Sequence, residues 1–214
     1  MTTAPASSAE RTWVAAVFWT VATLLAVLVG AYGLSYVPRG PAAAPPGVDH
    51  NAAGMTTLIV HAGSAGVALL LGPFQFIGLI RRRAPSVHRW IGRAYVAACV
   101  VGGICGAALA LGTVAGMLAL TGFLTLAVLW LTTTATAWRF ALKRDFRAHK
   151  RWMIRSFALT FAAVTLRLYL PLSMAANIPN AYPMIAWLCW VPNFLAVEAW
   201  FLATAPRAAR VAAE

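Results

Sequence analysis

An all-α, polytopic membrane bundle with six transmembrane helices is predicted by the apolar content of this chain, the spacing of its apolar runs and the placement of its basic residues. Hydrophobic residues make up 61% of the sequence and charged residues 10%. That is too little charge to cover a water-exposed surface of 214 residues. Six apolar stretches follow one another, at about residues 13–37, 55–80, 91–112, 116–138, 153–175 and 183–204. Each supplies roughly the twenty residues needed to cross a hydrocarbon core about 30 Å thick. A net charge of +12 in a soluble protein would point to nucleic acid. Here the Lys and Arg residues stand in short clusters between apolar runs, so the charge belongs to membrane topology and no nucleic-acid partner is expected.

Basic residues are retained on the cytoplasmic side of a membrane. With the N-terminus inside, fifteen of the seventeen Lys and Arg residues fall on that side: Arg11, the cluster from Arg81 to Arg93, the seven from Arg139 to Arg155, and Arg207 and Arg210. Arg39 lies outside and Arg167 deep within a span. Both termini are therefore expected in the cytoplasm of a bacterial-type cell, with the chain in the inner membrane. The first span reads as an uncleaved anchor, because its apolar core is long and its only basic flank is Arg11, although Ala42 to Ala44 imitate a cleavage site. Residues 1–12 are expected to be a disordered leader and residues 205–214 a cytoplasmic tail.

Along the chain, a turn of about three residues, Thr113 to Ala115, reverses the third span into the fourth, whereas the links before the third and fifth spans are longer and basic. These two links resemble each other. One reads R-R-A-P-S-V-H-R-W-I-G-R up to Arg93 and the other K-R-D-F-R-A-H-K-R-W-M-I-R up to Arg155. Spans two and three thus read as a parallel duplicate of spans four and five. Gly102, Gly103 and Gly106 let backbones approach closely and place the third span at the centre of the bundle. The first and sixth spans, rich in Trp, Phe and Leu, are expected at the periphery, with Trp187, Trp190 and Trp200 in aromatic belts. Cys99, Cys105 and Cys189 lie within spans without metal-ligand spacing and read as small packing residues.

Ionisable residues within a span cost several kcal/mol unless they face protein or water, which makes His61, Arg167 and Glu198 functional candidates. From the helical rise, His61 and Arg167 lie about 9 and about 12 Å below the same outer surface. Glu198 lies near the inner surface, within reach of Arg155 or Gln75. His88 and His149 stand at corresponding points of the two basic links, roughly 30 Å of helix away from the His61 layer. A pair of imidazoles from facing helices can fill both axial positions of a b-type haem, while arginines hold its propionates. This makes His88 and His149 the candidate iron ligands, with Arg93 and Arg155 among the propionate partners. In the other leaflet, His61 carries Ser64, Ala65 and Ala68 on its own face, leaving room for a flat macrocycle, with His50, Met117 or Met174 as a second ligand and Arg167 as an anion partner.

The segments H61-A-G-S-A-G, G72-P-F-Q-F, H88-R-W-I-G-R-A-Y95 and H149-K-R-W-M-I-R-S-F-A-L-T-F-A-A-V-T-L-R167 resemble the bacterial predicted-membrane-protein family called domain of unknown function 2306, over roughly Met55 to Leu170. The resemblance implies that these polar positions form a shared pattern and implies no activity. The order of His61, His88 and His149 is also similar to three of the four ligand positions of the cytochrome b561 class of transmembrane haem proteins, which implies electron transfer. The fourth span contains no His, so only the inner pair carries over. Three functions follow as expectations: a redox component holding a b-type haem or a quinone, a small transporter whose polar path contains His61, Gln75, Arg167 and Glu198, and a non-catalytic accessory protein whose basic face binds anionic lipid headgroups or a partner. No H-E-x-x-H, phosphate loop or nucleophile motif is present, which argues against a hydrolase.

Overall fold

The computed structural model describes residues 8–40, 51 and 53–205, the first five as backbone only. Among the described residues ten helices run in order: α1 (Ser8–Leu34), α2 (Tyr36–Arg39), α3 (Gly54–Gln75), α4 (Gly78–Arg83), α5 (Pro85–Leu111), α6 (Met117–Leu142), α7 (Phe146–Thr160), α8 (Ala162–Ala175), α9 (Tyr182–Leu188) and α10 (Val191–Ala203). They form six units long and apolar enough to cross a membrane, Trp13–Arg39, Gly54–Gln75, Pro85–Leu111, Met117–Leu142, Phe146–Ala175 and Tyr182–Ala203. No strand occurs among the described residues.

The helix ends depart from the apolar runs for local chemical reasons. The second run was expected to continue to residue 80, but α3 ends at Gln75, just after Pro73. The chain then becomes extended at Ile77 before the short basic helix α4. The third helix starts six residues before the expected position 91, because Pro85 supplies an N-terminal residue that needs no hydrogen-bond acceptor. In α7 the Asp145 carboxylate accepts from the Ala148 N–H at 3.0 Å and starts the helix at Phe146, seven residues earlier than expected. Apolarity marks the hydrocarbon-spanning part, whereas these caps extend helix into the charged interface. The basic links are consequently helical, and His88 and His149 are each the fourth residue of their helix. Residues 8–12 of the expected disordered leader belong to α1. Residues 1–7, the tail beyond residue 205 and His50 lie outside the described residues.

Helix α5 packs between α3 and α6, as its glycines predict. A Cβ on Gly102 would meet the Trp130 ring at 3.1 Å, and one on Gly103 would meet Leu131 at 2.6 Å. Helix α1 is mostly exposed and touches α3 through a stripe of small buried residues, Ala26, Gly30 and Gly33. A Cβ on Gly66 of α3 would lie 2.6 Å from the Gly30 carbonyl oxygen, a backbone atom that cannot swing aside. Gly66→Leu is therefore expected to pry α1 off the bundle and cost about 1–3 kcal/mol, read as a lowered unfolding midpoint in detergent. The sixth unit packs at the periphery, but its tryptophans do not all form a belt. Trp190 is buried in the core beside Trp187, which donates to the Leu118 carbonyl at 3.1 Å, and only Trp200 is half exposed.

The centre holds a closed set of hydroxyl groups. Tyr95 is fully buried, and its hydroxyl lies 3.0 Å from Ser156 Oγ and 2.8 Å from Thr160 Oγ1. Trp130 Nε1 donates to Thr160 Oγ1 at 2.8 Å, and Thr134 joins Ser156 at 2.7 Å. This network ties α5, α6 and α7 together and fixes the rotation of α5 and α7, and hence the direction in which their first turns present His88 and His149.

Candidate functional site

Where the basic first turns of α5 and α7 meet the ends of α3 and α6, the helices enclose a cavity of about 690 Å³. This is the size of a pocket for a cofactor-sized molecule. Its floor is apolar, formed by Phe76, Val96, Trp138 and Met153, and its walls carry His88 and His149. Arg81, Arg89, Arg93, Arg147 and Lys150 also line it, and no Asp or Glu does. None of these five cations pairs with a carboxylate among the described residues.

The two imidazoles are held differently. His149 Nδ1 lies 2.9 Å from the Ala137 carbonyl oxygen of α6. A carbonyl can only accept, so Nδ1 carries the proton and Nε2 keeps a free lone pair. His88 lies within electrostatic reach of His149, Arg81 and Arg89. Its Nδ1 is buried with no hydrogen-bond partner among the described residues, and the same is true of Gln75 Nε2. Gln75 is 7% exposed and sits over Gly92, where a Cβ would come within 3.2 Å of its Oε1. Each unpartnered buried donor or acceptor costs about 1–3 kcal/mol, so the packing beside the cavity carries an unmet polar demand.

Of the other residues singled out by the sequence, Arg155 does not line the cavity. It donates to Glu198 through Nε at 2.6 Å and Nη2 at 2.8 Å, the pairing that depth along the helices predicts, and it lies over the rings of Trp152 and Phe201. Arg155 is thus occupied and corrects its expected place beside a cofactor; Glu198 likewise joins no polar path with His61. Glu198→Gln leaves the guanidinium half buried without its counter-charge. It is expected to cost about 1.5–3 kcal/mol, measured by unfolding in denaturing detergent.

His61 belongs to a second cluster, fourteen residues up α3 from Gln75 and so about 21 Å away along the helix. Its Nδ1 lies 2.8 Å from the Gly102 carbonyl oxygen, and a Cβ on Gly106 would meet its Cε1 at 3.0 Å. The small face around Ser64, Ala65 and Ala68 is filled by α5 and the core, not left open for a macrocycle: Ala68 is fully buried, and Ser64 Oγ lies beside Gly102. Met117 and Met174, expected as second ligands, point outward with 72% and 76% of their surface exposed. Arg167 does share the His61 layer and acts electrostatically on its ring. The sequence reading missed its other neighbours, Tyr32 and Tyr36, which sit four residues apart at the end of the first span and so share a helical face.

The model of a family described as predicted membrane protein, domain of unknown function 2306, matches residues 58–201, more than half of the chain. The chain belongs to this family. The match extends about thirty residues beyond the span of the sequence resemblance, through α9 and into α10. No curated protein and no solved structure matches. The similarity to cytochrome b561 finds no support in them, and what this family member does has to be argued from its own residues.

Proposed function

We propose that this family member is a membrane redox component that holds one b-type haem in the basic cavity, with His88 and His149 as axial ligands. The observation that carries the reading is the presence of two imidazoles in one cavity, one of them fixed by a backbone carbonyl. Metal-ligating histidines have this second contact almost without exception, since it sets the tautomer and aims the other nitrogen. The apolar floor suits the faces of a porphyrin. Arg81, Arg89, Arg93, Arg147 and Lys150 suit two propionates. When bound, haem supplies a one-electron couple. The protein's part would be to hold the iron through His88 and His149 and to balance the carboxylates with the cavity cations.

Orientation belongs to the same proposal. The cavity and its cations occupy one end of the bundle together with most Lys and Arg residues of the chain, which by the positive-inside rule is the cytoplasmic end of an inner-membrane protein. A second reading takes its support from the exposure of all five cavity cations and of Trp90, which is 68% exposed: an anionic lipid headgroup docks in the cavity and the protein serves as an accessory. A reduced-minus-oxidised visible spectrum of protein made with haem precursor supplied separates the two. Haem bands that vanish in His88→Ala or His149→Ala are the expected result. Folded, colourless protein that retains anionic lipid through Arg81 and Arg89 would establish the lipid reading instead.

A further inference from the structure

We propose that Arg167, together with Tyr32 and Tyr36, forms a second ligand site, at the far end of the bundle from the basic cavity, for the oxyanion head of a lipid-soluble amphiphile. The inference does not depend on haem. Arg167 lies in the membrane-spanning part of α8, partly buried. Its Nη1 donates to the Ala163 carbonyl at 3.0 Å, and its guanidinium lies 5.5 Å from the centre of the Tyr32 ring. A guanidinium has five N–H donors, and the others have no acceptor among the described residues. A cation at this depth costs several kcal/mol without a counter-charge. The chain provides one for Arg155 in Glu198, and among the described residues it provides none for Arg167.

The surroundings are built for an anion that arrives from outside the chain. Arg39 lies over the same Tyr32 ring at 5.9 Å, so two guanidinium groups converge on one tyrosine. The Tyr32 and Tyr36 hydroxyls lie 3.4 Å apart, and buried Tyr36 is within electrostatic reach of both arginines. The approach is lateral: Leu28 and Tyr32 on α1 and Leu168 and Leu172 on α8 are exposed, an outward flank on two helical units apolar enough to cross a membrane. A molecule with apolar chains and a carboxylate or phosphate head satisfies both the flank and the guanidinium fork. The head could come from a fatty acid or from a phospholipid.

The test uses the full chain in neutral maltoside detergent and reads bound lipid by native mass spectrometry and by shift of the unfolding midpoint. Oleate is compared with oleyl alcohol, phosphatidylglycerol with diacylglycerol, and inorganic phosphate is added alone. The expected result is that oleate or phosphatidylglycerol binds and its neutral counterpart does not. Arg167→Gln should then retain one lipid fewer and bind at least about tenfold more weakly, while Arg81→Gln with Arg89→Gln, at the other end, leaves this lipid in place. Preference for oleate assigns the head to a fatty carboxylate, and preference for phosphatidylglycerol to a phospholipid. Unchanged affinity in Arg167→Gln, equal binding of the neutral lipids, or inorganic phosphate binding as tightly as either lipid overturns the proposal. If Arg167→Gln does not fold, Arg167→Lys keeps the charge and loses the fork; the same affinity as the unaltered protein would then overturn it.

Discussion

Alanine in place of His149 is expected to lower haem affinity by more than about 100-fold, a larger loss than removing a group that merely orients a ligand. The residue is the better fixed of the two candidate ligands. Its Nδ1 proton is committed to the Ala137 carbonyl, a backbone group that no side-chain change on α6 removes, so Nε2 is the nitrogen left for a ligand, without an entropic cost of choosing a tautomer. His149→Met distinguishes a ligand from a bystander. A thioether can take an axial position and raises the reduction potential relative to two imidazoles, so this variant should keep haem with a more positive midpoint potential. A residue that only shapes the cavity would give the same potential in both proteins.

Tyr95→Ala is expected to be the most destabilising single change in the core, at about 3–5 kcal/mol. The ring is completely buried between α5 and α7, and its hydroxyl serves Ser156 and Thr160, the latter also holding the Trp130 indole. Tyr95→Phe keeps the ring and removes the hydroxyl, at a cost of about 1–3 kcal/mol, since Ser156 and Thr160 keep other partners while losing one. Unfolding of both variants in a denaturing-detergent titration gives the two numbers. Because Tyr95 lies seven residues along α5 from His88 and its partner Ser156 lies seven along α7 from His149, loss of the hydroxyl also loosens the angle at which the two first turns face each other.

The bundle was legible in the sequence because hydrocarbon imposes a single requirement, about twenty apolar residues per crossing, and the six runs meet it. The glycines of α5 gave its central place for the same reason that a Cβ on Gly103 would strike Leu131. The helix starts were not legible from apolarity, since Pro85 and Asp145 act through caps in charged segments. The pairing of His88 with His149 in one cavity could be anticipated from the similar links, and the Arg155–Glu198 pair from depth. What depth cannot give is rotation about the helix axis. His61, Met117 and Met174 share a depth range but not a direction, so a ligand set built from depth alone failed, whereas Tyr32 and Tyr36, which share a face with each other, went unnoticed. The hydroxyl network was hidden for a related reason: Ser156 and Thr160, four apart on α7, read as ordinary helix residues until Tyr95 and Trp130 from two other helices are placed against them.

The most direct measurement is the ratio of haem to polypeptide in purified, monodisperse protein produced with haem precursor supplied, determined by extraction of the haem into alkaline pyridine. Placement of His88 and His149 in a single cavity predicts about one haem per chain, six-coordinate and low-spin in the intact protein. Folded protein with the same melting behaviour whether or not haem is supplied, and with no haem extracted, would contradict it.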